Sequence, residues 1–244
     1  MPSANERFSK ADPLFRILFD YLREHQVTNY LIRSASDRIY GYPSYDSDNL
    51  TSEILASMIK SSRIFKIKNI DNLKTHIAVR KKSIVFAKKA KFSYKSGSPQ
   101  FDRKYWTYDA SRGGMIPAAN VSWADALNHL FLSPKGYSIE CKRAVRFAQL
   151  AGVLAVNPDK NPTPPQWGLR QSLVSKEDDW VPGDYSYLRR VDPIGGGHAN
   201  NGENVLYIGK GRWWGHAAQQ RIYTLDEWKQ TLMKWNDVGK GVAS

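Results

Sequence analysis

The sequence predicts an α+β fold, with helical periods first, short strand-like runs towards the C-terminal end, and no internal repeat. Leu14, Ile17, Leu18, Tyr21 and Leu22 recur at helical spacing, whereas ENVLYIG (Glu203 to Gly209) is apolar and β-branched in the manner of a strand. At 244 residues the chain fits one large domain, or one domain with a sizeable extension. Residues 1–100 read as an N-terminal α/β extension without an assigned role. Residues 101–244 read as the core, the alternative being one continuous domain.

Each element follows from its own pattern. Met1 to Ala11 is a polar lead, and the Leu14–Leu22 period is the first helix. TSEILASMIKSSRIF predicts a second, with Thr51 or Ser52 as its cap. KTHIAVRKKSIVFAKKAKFSYKSG is rich in β-branched and aromatic residues and predicts strands or a hairpin. KYWTYDASRGGMIPAAN predicts a strand, a Gly-Gly turn and a loop. VSWADALNHLF predicts a helix with Ala124, Ala126, Leu127 and Leu130 on its apolar face. After the loop SPKGYSIE, CKRAVRFAQLAGVLAV predicts a helix that NPDKNPTPP must end. DDWVPGDYSYLRR reads as a loop followed by a Gly-Gly-Gly turn, and successive strands run from ENVLYIG to the neighbourhood of His216. TLDEWKQTLMKW closes the chain as a helix, with Thr224 and Glu227 at capping-box spacing.

Composition narrows the function classes. The formal charge is +13, and Arg80, Lys81, Lys82, Lys88, Lys89, Lys91 and Lys95 form a stretch of seven bases without an acid. Such a stripe is a solvated face or a binder of nucleic acid; Phe86, Phe92 and Tyr94 interleave with it as rings on which bases would stack. No RNA- or DNA-binding signature accompanies it. No apolar run approaches the ~20 residues of a membrane span. The N-terminus lacks a signal-peptide core, so synthesis in the cytosol is expected, with export by another route left open. No Cys/His metal cluster or EF-hand loop is present, and neither a metal nor a cofactor is expected.

The single cysteine, Cys141, cannot form an internal disulfide. It is either a small buried hydrophobe or a working thiol. Its place in the predicted first turn of a helix favours the thiolate, because the free N–H groups and the dipole there attract an anion. A cysteine nucleophile needs a histidine base, and that histidine needs a group to fix its tautomer. Of five histidines, His25, His76 and His129 fall in regular patterns and His198 in a glycine-rich loop. His216 closes a strand pattern thirteen positions after Glu203 (216 − 203). A helix-borne cysteine followed by a sheet-borne carboxylate and histidine is a papain-like order.

These residues carry a resemblance. YSIECKRA around Cys141, GENVLYIGKGRWWGH from Gly202 to His216, GDYSYLRR from Gly183 to Arg190 and the Tyr105–Trp106 pair together resemble the small spore-coat-type bacterial transglutaminases, the protein-glutamine γ-glutamyltransferases. The likeness runs from Lys104 to Trp235. It implies an NlpC/P60-like papain fold in which the nucleophile-bearing helix packs on an antiparallel sheet. It implies Cys141 as nucleophile, His216 as general base and acid, Glu203 as its orienter and Glu140 as an auxiliary acid. Trp106, Trp213, Trp214 and Asn200 would line the substrate channel, with Asn200 standing where the family carries tryptophan.

The implied reaction is calcium-independent. The thiolate attacks a protein glutamine, ammonia leaves, and a lysine amine resolves the thioester into an isopeptide crosslink. Partners would be proteins bearing reactive Gln and Lys, including the chain itself, with Lys88, Lys89 and Lys91 as acceptors or as a dock for an acidic substrate. A glutamine deamidase or NlpC/P60-like cysteine peptidase would share the same triad, and a basic nucleic-acid-binding module with a structural cysteine is a second alternative. A spore coat and delivery into a target cell are equally compatible final sites.

Overall fold

The computed structural model describes residues 50–61, 65, 69–95, 99–111, 114–133, 136–159, 180–189, 201–216 and 221–238. The first predicted helix, His25, His198, Asn200 and the Gly-Gly-Gly turn lie outside them. The chain divides into two compact units, Met1–Ala78 with Val174–Pro182, and Val79–Leu173 with Gly183–Ser244.

Helix α1 spans Leu50–Lys60, buries Ile54, Leu55 and Met58, and carries Glu53 in its first turn. It begins at Leu50, so Thr51 and Ser52 lie inside it rather than capping it. Helix α2 spans Ile70–Lys89 and replaces the strands or hairpin expected over most of that stretch, whose end does form a strand at Ser93–Tyr94. Burial at Leu73, Ile77, Arg80, Ser83, Ile84 and Ala87 follows a helical stripe. Asn69 caps the start through Asn72 N–H, donated to Asn69 Oδ1 at 2.8 Å. Asp71 in the first turn and Lys88 and Lys89 in the last match the macrodipole. Propensity for strand lost to these local and packing terms.

In the second unit, β1 (Ser93–Tyr94) belongs by sequence reading to the N-terminal hundred residues, yet it pairs in parallel with β4 (Ser138–Ile139) directly before the cysteine. β2 (Trp106–Asp109) and β3 (Gly114–Pro117) form an antiparallel hairpin, so the expected loop after the glycines is a strand. Helix α3 (Trp123–Leu132) buries Ala126, Leu127, Leu130 and Phe131, and Ser122 caps it by accepting the Asp125 N–H at 3.0 Å. Helix α4 spans Cys141–Val156 and ends at Asn157.

The main sheet is antiparallel, in the order β5 (Tyr185–Arg189), β6 (Gly202–Gly209), β7 (Arg212–Gly215), β8 (Arg221–Thr224). The residue pattern alone reads β5 as part of a loop. Its lead-in, Gly183-Asp184, has a specific job. Gly183 adopts φ +92°, and a Cβ there would sit 2.9 Å from the Arg80 side chain, so glycine alone fits. Gly183 N–H donates to Tyr207 O at 2.7 Å, and Gln149 Nε2 donates to Gly183 O at 3.1 Å, tying the turn to β6 and α4. Helix α5 (Leu225–Val238) closes the unit with the expected box: Glu227 N–H donates to Thr224 Oγ1 and Thr224 N–H to Glu227 Oε2 at 2.7 Å. Helices and an antiparallel sheet make the class α+β, as expected. Among the described residues no helix is long and apolar enough to cross a membrane.

Candidate active site

Cys141 is the first residue of α4, and Glu140 is its N-cap in extended conformation. The thiol is 6% exposed. It therefore faces the free N–H end of a sixteen-residue helix, a position that favours thiolate. Two strands hold that end in place. Ser93 N–H donates to Tyr137 O at 3.0 Å and Lys95 N–H to Ile139 O at 3.1 Å. Tyr137 itself is buried against Phe101, with its hydroxyl 2.6 Å from His129 Nδ1. An aromatic residue four places before Cys141 thus anchors the lead-in.

His216 follows β7 directly and is 1% exposed. Its Nε2 lies 3.1 Å from both Ser93 O and Ile139 O. Carbonyl oxygens only accept, so Nε2 carries the proton and the neutral ring keeps its basic lone pair on Nδ1. Ile139 is two residues ahead of Cys141. The histidine is therefore fixed against the strand that delivers the cysteine. Phe92 packs edge-on at 4.8 Å between ring centroids, Tyr94 at 5.9 Å, and Trp214 lies near-parallel at 6.2 Å. This aromatic collar keeps the imidazole in a low-dielectric setting.

β6 sends its neighbouring side chains to opposite faces. Asn204 points to α4, and its Nδ2 donates to Cys141 Sγ at 3.1 Å. Tyr185, on β5, donates its hydroxyl to Asn204 Oδ1. Burial pushes the Tyr185 pKa up to about 12; Arg146 opposes that rise, and Cys141, Glu140 and Glu203 add to it. Glu203 is fully buried on the other face of β6. A Cβ on Gly215 would lie 3.2 Å from Glu203 Cγ and 2.3 Å from the Trp228 ring. Glu203 therefore runs beside the residue that precedes His216, under the indole of α5.

The remaining sequence candidates separate. Glu140 is half-buried and makes no side-chain capping bond to α4. Trp106 is 1% exposed in a cluster with Phe101, Trp123 and Phe147. Trp213 packs on Tyr207, and its carbonyl accepts the Trp228 indole N–H at 3.1 Å. Trp214 is the tryptophan of the set that meets His216. Of the rings offered for base stacking, Phe92 is buried beside His216 and Phe86 and Tyr94 are half-buried. Asn204 and Tyr185 were missed. The signal was present, since a residue next to Glu203 in a strand must face the other way.

Comparison with known proteins now bears on this arrangement. Residues 32–234 match the family described as protein-glutamine gamma-glutamyltransferase. The chain belongs to that family. The enzyme is accordingly an acyltransferase whose substrates are protein glutamine and lysine side chains. Among solved structures, this transglutaminase is similar to the transglutaminase from Geobacillus stearothermophilus (without C-terminal extension), with a TM-score of 0.54 and 21% identity. The match covers 71% of this chain and 89% of that one, and it shows a shared fold. No match was found among curated proteins.

Proposed function

We propose that the γ-glutamyl transfer of this transglutaminase runs through Cys141 as nucleophile and His216 as general base and acid, within an NlpC/P60-like papain core. The observation that carries the reading is the His216 ring seated on Ile139 O, two residues before the thiol at the head of α4. His216 takes the thiol proton, and the thiolate attacks the glutamine carboxamide carbon. The C–N bond then breaks, ammonia leaves with the proton returned by His216, and a γ-glutamyl thioester remains on Cys141. A neutral lysine amine attacks the thioester, the C–S bond breaks, and the thiol is regenerated. Glu203, buried beside Gly215, supplies negative potential that favours the imidazolium during this exchange. Glu140 serves as an auxiliary acid next to the thiol. The aromatic collar around His216 excludes water, which favours amine over hydrolysis.

The chemistry asks for a thiolate, a base and an oxyanion donor, with no Lewis acid, so we assign it as calcium-independent; activity retained in EDTA tests that. Lys88, Lys89 and Lys91 are exposed on or just beyond α2 and are proposed as acceptors in self-crosslinking. Their replacement by arginine removes high-mass self-products if that is correct. The deciding experiment is incorporation of a fluorescent primary amine into casein by wild type and Cys141→Ala. Incorporation is expected only with the thiol present. Cys141-dependent ammonia release without incorporation would move the reading to a deamidase, and equal incorporation by both proteins would end it.

A further inference from the structure

The amide on the Cys141 sulfur belongs to Asn204, a residue outside the set of Cys141, Glu203 and His216. Asn204 is 9% exposed, and its Nδ2 lies 3.1 Å from Sγ. An amide side chain has two ends of nearly the same shape and opposite polarity. With Nδ2 forward it donates to the sulfur. Flipped, it would set the Oδ1 lone pairs against a thiolate. The Tyr185 hydroxyl decides between them, because it donates to Oδ1 and so holds the nitrogen end on the sulfur. Burial pushes the pKa of that hydroxyl up to about 12, so it remains a donor at neutral pH.

The β6–β7 register adds a second relation. Val205 pairs with Gly215, so Asn204 and His216, each one residue further, leave their strands on the same face. Donor, base and nucleophile therefore gather on the α4 side of the sheet.

We propose that Asn204 is a further catalytic residue, whose Nδ2 donates to the Cys141 thiolate and then to the oxyanion formed on the attacked carbon, with Tyr185 as the positioning residue that orients it. The proposal rests on Cys141 being the nucleophile. In the addition step the S–C bond forms and the carbonyl π pair moves onto oxygen. The Nδ2 group carries two N–H bonds, and an oxygen one bond from the carbon attached to sulfur falls within its reach. When the C–N bond breaks, the pair returns to the carbonyl, and the amide is left bonded to the thioester without having exchanged a proton. Thioester formation therefore asks nothing of the pKa of Asn204, only its direction.

Several charges bear on the same thiol. Glu140 precedes it on the chain, Arg146 lies further along α4, Tyr185 faces it from β5, Glu203 stands on the far side of β6, and His216 lies beyond β7. Because these stay in place in an Asn204 variant, the contribution of the amide can be read by itself.

The test is the pH dependence of Cys141 alkylation by iodoacetamide, together with amine incorporation into casein, for wild type, Asn204→Ala, Asn204→Asp, Tyr185→Phe and Cys141→Ala. Asn204→Ala is expected to raise the thiol's midpoint by about one pH unit and cut kcat about 100-fold. Asn204→Asp, nearly isosteric, raises the midpoint further by placing a carboxylate on the sulfur. Tyr185→Phe shifts it the same way by less, since the amide is then free to turn. A packing role alone would lower stability without moving the midpoint. Unchanged midpoints in Asn204→Asp and Tyr185→Phe overturn the proposal, even if Asn204→Ala fails to fold. Full incorporation by Cys141→Ala is a different failure, that of the nucleophile itself.

Discussion

Arg80 donates to Asp184 at 2.9 Å, with side chains 2% and 3% exposed, so α2 is ion-paired to the turn that starts the main sheet. Removing one partner takes this ion pair away and leaves the other charge buried. Asp184→Ala or Arg80→Ala is expected to destabilise by about 3–5 kcal/mol in urea unfolding. Replacing both together, as Arg80→Met with Asp184→Leu, should cost less than either alone. Additive losses would show that the pair is not the source of the effect.

Gly215→Ala tests the contact beneath His216. The new Cβ would sit 2.3 Å from the Trp228 ring, so α5 or β7 must shift. Overpacking of this kind costs about 1–3 kcal/mol, and the displaced β7 should also lower crosslinking activity. Adding Trp228→Phe should recover part of the stability lost, measured as Tm.

Phe92→Leu separates the collar from the core. Phe92 is 1% exposed and packs on both Phe131 and His216. A cavity under one ring is expected to cost about 1–2 kcal/mol. The stronger effect should appear in the ratio of hydrolysis to transfer, because water then reaches the thioester. An unchanged ratio would assign Phe92 to packing alone.

The capping box predicts a pH dependence with a definite sign. The Thr224 N–H bond, and then its hydroxyl, hold the Glu227 carboxyl below its usual pKa. A carboxylate depressed in the folded state stabilises above its unfolded pKa, and that contribution is lost as pH falls through the lower folded value. The stability difference between wild type and Glu227→Gln should therefore be largest at neutral pH and vanish below the ordinary carboxylate range. A difference that persists in acid would rule out the carboxylate as its source.

The sequence made some of this legible for physical reasons that can be named. Helix α4 reads correctly from Cys141 to Val156 because Asn157-Pro158 cannot continue it and its apolar positions hold their period. Helix α2 was misread because two of its inward positions are Arg80 and Ser83, polar residues that hide the helical stripe. The partner that makes Arg80 an inward residue, Asp184, is 104 positions away. β1 is two residues long and lies at the end of the stretch read as strands, but its parallel partner β4 comes 45 positions later (138 − 93) and nothing local announces that pairing. In the site, residue types and order make Cys141 and His216 candidates, and the family resemblance of the segments around them is what selects the pair. Asn204 and Tyr185 need the alternation of β6 and its register with β5, which Glu203 obscures by being the more eye-catching neighbour.

The imidazole is held by carbonyls 123 and 77 positions earlier in the chain, at Ser93 and Ile139. A ribosome delivers Cys141 well before His216. With the roles proposed above, the sulfur would gain an oriented proton acceptor only once β1, β4 and β7 have come together, and a nascent or half-unfolded copy would be chemically quiet. For a protein whose product is a permanent bond to its neighbours, the folding step doubles as a safety catch.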